Sequence, residues 1–340
     1  MNNGHQLLYA IELNSLTKKF GNTKAIDDIS LQINEGEIFG FLGPNGAGKS
    51  TTMMILTTLL KPTYGKALVG GLDVVSQAKQ VRQIMGYVQQ EICVDEYLTG
   101  RENLILQARL NHIPKDLIDK RIDDMLELIE LKEKQNDAVI TYSGGMRKRL
   151  DIAGGLLHQP KVLFLDEPTV GLDIQTRRKI WEYIKKIHEE YGMTIFLSTH
   201  YMEEADNLCD RIGIIDHGKI QAIDSPQTMK NALGNEVITF TLSNNEEKIP
   251  NLISKIKEIE FVKEITTNKN KVTVFSSKGT EVIPIIFQIA LSFETKINSI
   301  SLTQPTLDDV FISYTGRELR DETENFNKRL EHSKMKRLRA

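Results

Sequence analysis

The stretch Gly43-Pro44-Asn45-Gly46-Ala47-Gly48-Lys49-Ser50-Thr51 contains the eight-residue pattern G-x-x-x-x-G-K-[ST], with every fixed position filled by Gly43, Gly48, Lys49 and Ser50. They follow the apolar run Ile38-Phe39-Gly40-Phe41-Leu42 and precede a helix-like stretch from Thr52 to Leu60. Strand, glycine-rich loop and helix in that order let successive main-chain N–H groups point into one concavity at the positive end of a helix. The expected product is a phosphate cradle. Lys49 supplies a point charge for β- and γ-phosphates, and the Ser50 hydroxyl is small and hard enough to ligate Mg²⁺. Ligands of an α/β sheet lie at the carboxyl ends of its strands, so polar residues at other strand tips become candidate partners.

Three further stretches have such tips. Lys161-Val162-Leu163-Phe164-Leu165-Asp166-Glu167 is a continuous apolar strand ending in two carboxylates, which a buried strand has no structural need to carry. Beside a phosphate loop they make chemical sense: Asp166 can hold Mg²⁺, and Glu167 can orient or deprotonate an attacking water. Thr194-Ile195-Phe196-Leu197-Ser198-Thr199-His200 repeats the plan, with His200 able to hydrogen-bond a γ-phosphate oxygen. Ile84 to Val88 reads as a strand closing on Gln89-Gln90, either of which can present a neutral amide to a metal ion or a water. Upstream, Ala10–Leu16 and Ala25–Ile33 alternate apolar and polar residues around the turn signal Gly21-Asn22, as antiparallel strands do. Phe20 beside that turn is a candidate platform for a base, or else a core residue.

A chain of 340 residues is long for one core and suggests two domains. Its net charge of −3 argues against a nucleic-acid partner. Two cysteines, Cys93 and Cys209, lack metal or disulfide spacing and fit a reducing compartment. The start, Met1 to His5, lacks a basic and apolar secretion signal, and the apolar stretch Val282–Phe293 is too short to span a bilayer.

Between the second and third strand tips, Glu102–Leu131 is rich in helix formers, with Leu106, Leu110, Ile118, Ile122, Leu126 and Ile129 at helical spacing. This inserted helical block, about residues 95–155, includes Tyr142-Ser143-Gly144-Gly145-Met146 at the start of a helix. Alone, Ser-Gly-Gly is either a helix cap or an anion site without a lysine, and Arg147-Lys148-Arg149 after it suits a solvated face equally well.

The ordered set of phosphate loop, glutamine loop, Ser-Gly-Gly, Leu-Asp-Glu strand, Gly171-Leu172-Asp173 and strand-tip histidine resembles the ATP-binding cassette (ABC) transporter ATPases over about Ile11 to Met229. The resemblance implies an α/β fold: a phosphate-loop NTPase core with a RecA-like subdomain, an antiparallel β subdomain and an inserted helical subdomain. It also implies ATP and Mg²⁺ as cofactors and head-to-tail pairing of two copies. ATP on one phosphate loop would then be covered by Ser143, Gly144 and Gly145 of the other copy, with Asp173 speaking across the dimer. Gln90 matches the family's glutamine better than Gln89, and Ser50, Gln90 and Asp166 become the expected metal ligands. Met146 departs from the glutamine common at that position. The form Tyr-Ser-Gly-Gly-Met with Arg-Lys-Arg-Leu-Asp, together with Asp95-Glu96-Tyr97-Leu98-Thr99-Gly100-Arg101-Glu102-Asn103-Leu104, resembles the daunorubicin-resistance branch of drug exporters.

Past Pro226 the pattern changes to strand, helix, strand, strand, helix, strand over Val237–Leu302, a β-α-β-β-α-β unit with no phosphate loop or acid cluster. Expected domains are an ATP-binding domain over 1–230, a small α+β domain over 235–317 and a charged tail over 318–340. The small domain suits regulation, dimer bracing or plain packing. The stretch Lys328–Ala340 is basic and suits a solvated tail or an anionic leaflet. The expected protein is the ATPase subunit of an exporter, peripheral on the cytoplasmic membrane face. It would work as a homodimer on a separate transmembrane permease that carries drugs or other amphipathic compounds. Rival readings are a soluble cassette protein of translation or DNA metabolism, an importer, a nucleotide-gated structural switch, or an exporter of lipid, glycan or sodium.

Overall fold

The computed structural model describes residues 9–243, 249–268 and 270–315. The start Met1–His5 and the basic tail considered above lie outside them. The chain divides into two compact units, Met1–Ile223 and Asp224–Ala340.

In the first unit the order is β1 (Tyr9–Phe20), β2 (Thr23–Asn34), β3 (Ile38–Leu42), α1 (Lys49–Leu56), β4 (Tyr64–Val69), β5 (Leu72–Asp73), α2 (Ala78–Ile84) and β6 (Met85–Val88). The helices α3 (Gly100–Leu110), α4 (Lys115–Leu128) and α5 (Gly144–Leu156) follow. Then come β7 (Val162–Asp166), α6 (Ile174–Tyr191), β8 (Thr194–Thr199), α7 (Met202–Leu208), β9 (Arg211–Asp216) and β10 (Lys219–Asp224). One sheet, in the order β2-β1-β4-β5, is antiparallel. The other runs β10-β9-β3-β8-β7-β6, with β9, β3, β8, β7 and β6 parallel.

Every residue of β3, β7 and β8 is buried, the signature of a sheet covered on both faces. Phe196 anchors this core, its ring 5.6, 5.8 and 5.9 Å from those of Phe41, Phe164 and Phe39. Because the three strands are parallel neighbours, their carboxyl ends fall on one edge. That edge carries the phosphate loop, Asp166-Glu167 and Ser198-Thr199-His200.

The helical block differs from expectation in one face. Ile122, Leu126 and Ile129 are buried, but Leu106 and Leu110 are 43% and 63% exposed. A buried asparagine sets the rotation of α3. Asn103 Nδ2 donates to the carbonyls of Asp95 and Thr99, and its Oδ1 accepts the Asp95 N–H. Leu104 and Ala108 thereby face inward. A reciprocal cap between Thr99 and Glu102 starts this helix. Helix α1 is shorter than the expected 52–60 stretch, since Thr57 caps it and Thr58 takes a left-handed conformation.

The second unit contains α8 (Pro226–Leu233), β11 (Glu236–Leu242), α9 (Ile249–Lys257), β12 (Val262–Asn268), β13 (Lys271–Ser276), α10 (Gly279–Ser292), β14 (Ile297–Thr303) and α11 (Leu307–Thr315). Its antiparallel sheet has the order β12-β13-β11-β14, so the expected β-α-β-β-α-β unit is present, flanked by α8 and α11. Ile238, Phe240, Val272 and Val274 pack against Leu252, Ile256, Val282 and Ile286 of α9 and α10. Among the described residues no helix is long and apolar enough to cross a membrane.

Candidate ATP site

The loop from β3 to α1 ends in Gly48, the N-cap of α1, at φ 113°. That backbone conformation is one L side chains rarely adopt, and an added Cβ would lie 2.6 Å from the carbonyl oxygen of Ala25. The glycine therefore lets the loop sit against β2 while its N–H groups remain at the helix start. Pro44, Asn45 and Gly46 bulge to the surface, Ala47 donates its N–H to the Pro44 carbonyl, and Ser50 and Thr51 occupy the first turn of α1.

Lys49 folds back over this loop. Its Nζ donates to the carbonyls of Gly43 at 2.7 Å and Pro44 at 3.2 Å, and lies 3.1 Å from Glu167 Oε1. The other oxygen of Glu167 is 3.1 Å from His200 Nδ1. A carboxylate only accepts, so Nδ1 is the protonated ring nitrogen in this contact. The Lys49 and Glu167 side chains are 4% and 7% exposed, which places a buried ion pair within a strand-tip cluster. Burial alone would raise the Glu167 carboxyl; the His200 hydrogen bond and the Lys49 charge outweigh it and hold the group below its ordinary value. Asp166 goes the other way. Burial, reinforced by the neighbouring Glu167 charge, raises it against the opposing pull of the Ser198 hydrogen bond and Lys49. Two adjacent carboxyls are thus shifted in opposite directions by their surroundings.

Ser198 makes this arrangement possible and has no signal of its own in the sequence. Its Oγ donates to Asp166 Oδ1, and both its Oγ and its carbonyl accept the Glu167 N–H at 3.1 Å. Glu167 is held at φ 45°, an uncommon conformation for a residue other than glycine. The β7–β8 register pairs Asp166 with Ser198, so only the sheet partners reveal the role. A second buried group lies behind the tips. Glu204 Oε1 accepts from Thr169 Oγ1 at 2.7 Å and Trp181 Nε1 at 2.9 Å, tying the chain after Glu167 to α6 and α7.

The other expected residues sit at the ends of other elements. Gln89 and Gln90 are exposed at the end of β6, whose Val88 pairs with Leu165. Ser143 is the N-cap of α5, accepting the Met146 N–H at 3.3 Å, with Gly144 and Gly145 in the first turn. Asp173 is the N-cap of α6, accepting from Thr176 N–H and Oγ1. Among the described residues no hydrogen bond joins Ser143, Gly144, Gly145 or Asp173 to the Lys49–Glu167–His200 cluster. Phe20 is half exposed at the end of β1, with Lys18 Nζ 5.1 Å from its ring centroid, so it is not a core residue.

A family model for the ABC transporter matches residues 26–170, and one for the C-terminal domain of DrrA1-3-like ATP-binding proteins matches 225–315. The chain is 37% identical over 313 residues to the daunorubicin resistance ATP-binding protein DrrA2 of Streptomyces coeruleorubidus, covering 91% of this chain and 95% of that protein. The chain belongs to the ABC transporter ATP-binding proteins. To the linearmycin resistance ATP-binding protein LnrL of Bacillus subtilis it is 34% identical, over 92% of this chain and all of that one. An ATP-binding cassette solved as a dimer in a post-hydrolysis state with ADP and Pi superposes with a TM-score of 0.57 at 29% identity, over 63% of this chain and 98% of that one. The ABC family accounts for the fold and for ATP hydrolysis by this chain.

Proposed function

We propose that the chain is the ATPase subunit of an exporter of drugs or similar amphipathic compounds, peripheral on the cytoplasmic membrane face and paired with a separate transmembrane permease. The resistance proteins it resembles along almost their whole length support that substrate class. One observation carries the catalytic reading: Glu167 is held between Lys49 and His200 and kept ionised at the mouth of a phosphate loop.

The metal reading rests on the chemistry of the donors. Among the described residues no group of three His, Cys, Asp or Glu could hold a metal alone. Ser50, Asp166 and Gln90 instead offer a sparse set of hard oxygens, as suits Mg²⁺ arriving with phosphate oxygens. When bound, it would neutralise charge on the β- and γ-phosphates. The chain's own residues do the rest. Main-chain N–H groups of residues 43–51 cradle the phosphates, and Lys49 transfers part of its charge from Glu167 to the γ-phosphate. Glu167 then accepts a proton from the attacking water while His200 fixes its orientation and reaches the γ-phosphate. Phe20 stacks on the adenine ring. Ser143, Gly144, Gly145 and Asp173 serve the site of a second copy, each at the start of a helix.

Glu167→Gln removes the base and leaves the cradle. ATP turnover should fall at least about 100-fold, with nucleotide binding retained and a closed dimer accumulating on size-exclusion chromatography. Unchanged turnover would overturn the assignment. Affinity capture of the tagged chain from solubilised membranes should recover one integral membrane protein; recovery of ribosomes instead would move the function to the soluble reading.

A further inference from the structure

Helix α5 carries a second pair of buried charges that the ATP site does not use. Lys148 and Asp151, three residues apart on one face, have side chains only 3% and 10% exposed. Lys148 Nζ donates to the Gln89 carbonyl at 2.7 Å, and Asp151 Oδ1 accepts the Cys93 N–H at 3.3 Å. The two charges lie 3.6 Å apart, and Asp151 Oδ2 is buried without a hydrogen-bond partner. Close approach of α5 to β6 makes this reach possible: a Cβ on Gly86 would lie 2.3 Å from the Gly155 carbonyl. Gln89, Cys93 and Asp151 also border a cavity of about 340 Å³.

A buried pair of this kind is a poor way to gain stability. Burial pushes the Lys148 ammonium down and the Asp151 carboxyl up, so both charged forms are penalised, and apolar side chains of similar size would serve packing at least as well. What the pair does gain is two bonds to the main chain at either end of residues 89–93. We propose that Lys148 and Asp151 are a latch, by which the helix that begins at Ser143 sets the position of the glutamine loop and hence of Gln90. Latched, the ammonium and the carboxylate hold the loop. Unlatched, the 3.6 Å gap closes and each charge takes the other as partner, while the Gln89 carbonyl and the Cys93 N–H turn to solvent. The pair positions and touches no substrate; its effect on hydrolysis rests on the reading of Gln90 as a metal ligand, while its effect on the loop does not.

Cys93 is a reporter placed on the loop itself. It is exposed, whereas the other cysteine, Cys209, is buried. The test compares the full-length chain with the double variant Lys148→Met/Asp151→Leu, which removes both charges together and leaves neither unpaired, so it should melt at or above the wild-type temperature. Limiting rates of Cys93 labelling by a chromogenic thiol reagent, read above the thiol's titration so that lost charges do not enter, should rise about tenfold as the loop is released. Lys148→Arg, which can still reach the Gln89 carbonyl, should label within about twofold of wild type. The Mg²⁺ concentration for half-maximal hydrolysis should rise about tenfold in the double variant, and Gln90→Ala should move it likewise. A folded double variant that labels at the wild-type rate overturns the latch. Faster labelling with an unmoved Mg²⁺ profile in both the double variant and Gln90→Ala upholds the latch and overturns Gln90 as a ligand.

Discussion

At the scale of single residues, the acids at and behind the strand tips divide into those that partners hold below the ordinary value and those that burial pushes above it. Glu204 belongs to the second kind. Burial raises its carboxyl, and the hydrogen bonds from Thr199, Thr169 and Trp181 do not offset it. An acid whose folded value exceeds its unfolded value contributes stability fully below the unfolded value and loses it as pH rises through the folded one. Glu204→Gln keeps the acceptor for Thr169 and Trp181 and cannot ionise. Its melting temperature relative to wild type should therefore climb as pH rises above the ordinary carboxylate range, and parallel melting curves across that rise would refute the assignment. Glu204→Ala strands the buried donors of Thr169, Thr199 and Trp181 and leaves a cavity, and should cost about 2–4 kcal/mol in denaturant titrations at pH 7. Residues such as Asp166 and Glu167 were legible in sequence because two acids ending an apolar strand have no packing use. Ser198 and Glu204 were not, since a serine in a strand and a glutamate in a helix are ordinary until register brings them to Asp166 and Trp181.

At the scale of elements, the site depends on three parallel strands ending at one edge and on one helix starting there. Long, uniformly apolar strands identified themselves, as did the strand and helix alternation of the second unit. The rotation of α3 did not, because hydrophobic spacing cannot anticipate a buried asparagine that takes three hydrogen bonds from its own surroundings. Joining β3 to α1 needs Gly48 at φ 113° beside the Ala25 carbonyl. Alanine at that position would carry about 1–2 kcal/mol of backbone strain besides the 2.6 Å contact, so the loop must shift. The Kd for a fluorescent ATP analogue should rise at least about tenfold in Gly48→Ala, with the melting temperature lowered by only about 2–8 °C, so that the chain stays folded at assay temperature. Wild-type affinity in that variant would show that the cradle tolerates a displaced helix start.

At the scale of the whole molecule, the two halves of the expected chemistry lie on different parts of one chain. Lys49, Glu167 and His200 form one cluster, while Ser143 and Asp173 cap α5 and α6 and make no hydrogen bond to it among the described residues. A related cassette is known as a dimer with ADP and Pi; if this chain pairs as proposed, a two-fold axis gives each site one patch from each copy. The consequence is a complementation rule. Lys49→Ala disables a phosphate loop and Ser143→Arg blocks a helix start, so each variant alone should be nearly inactive. In an equal mixture, half of the dimers pair one variant with the other. One site of such a dimer combines both defects, and its second site has an intact Lys49 facing an intact Ser143. ATP turnover of the mixture should therefore recover to about a quarter of wild type if the sites act independently. Turnover no greater than the mean of the two separate variants would mean that Ser143 does not serve the site of a second copy, and the sharing of sites between copies would fall.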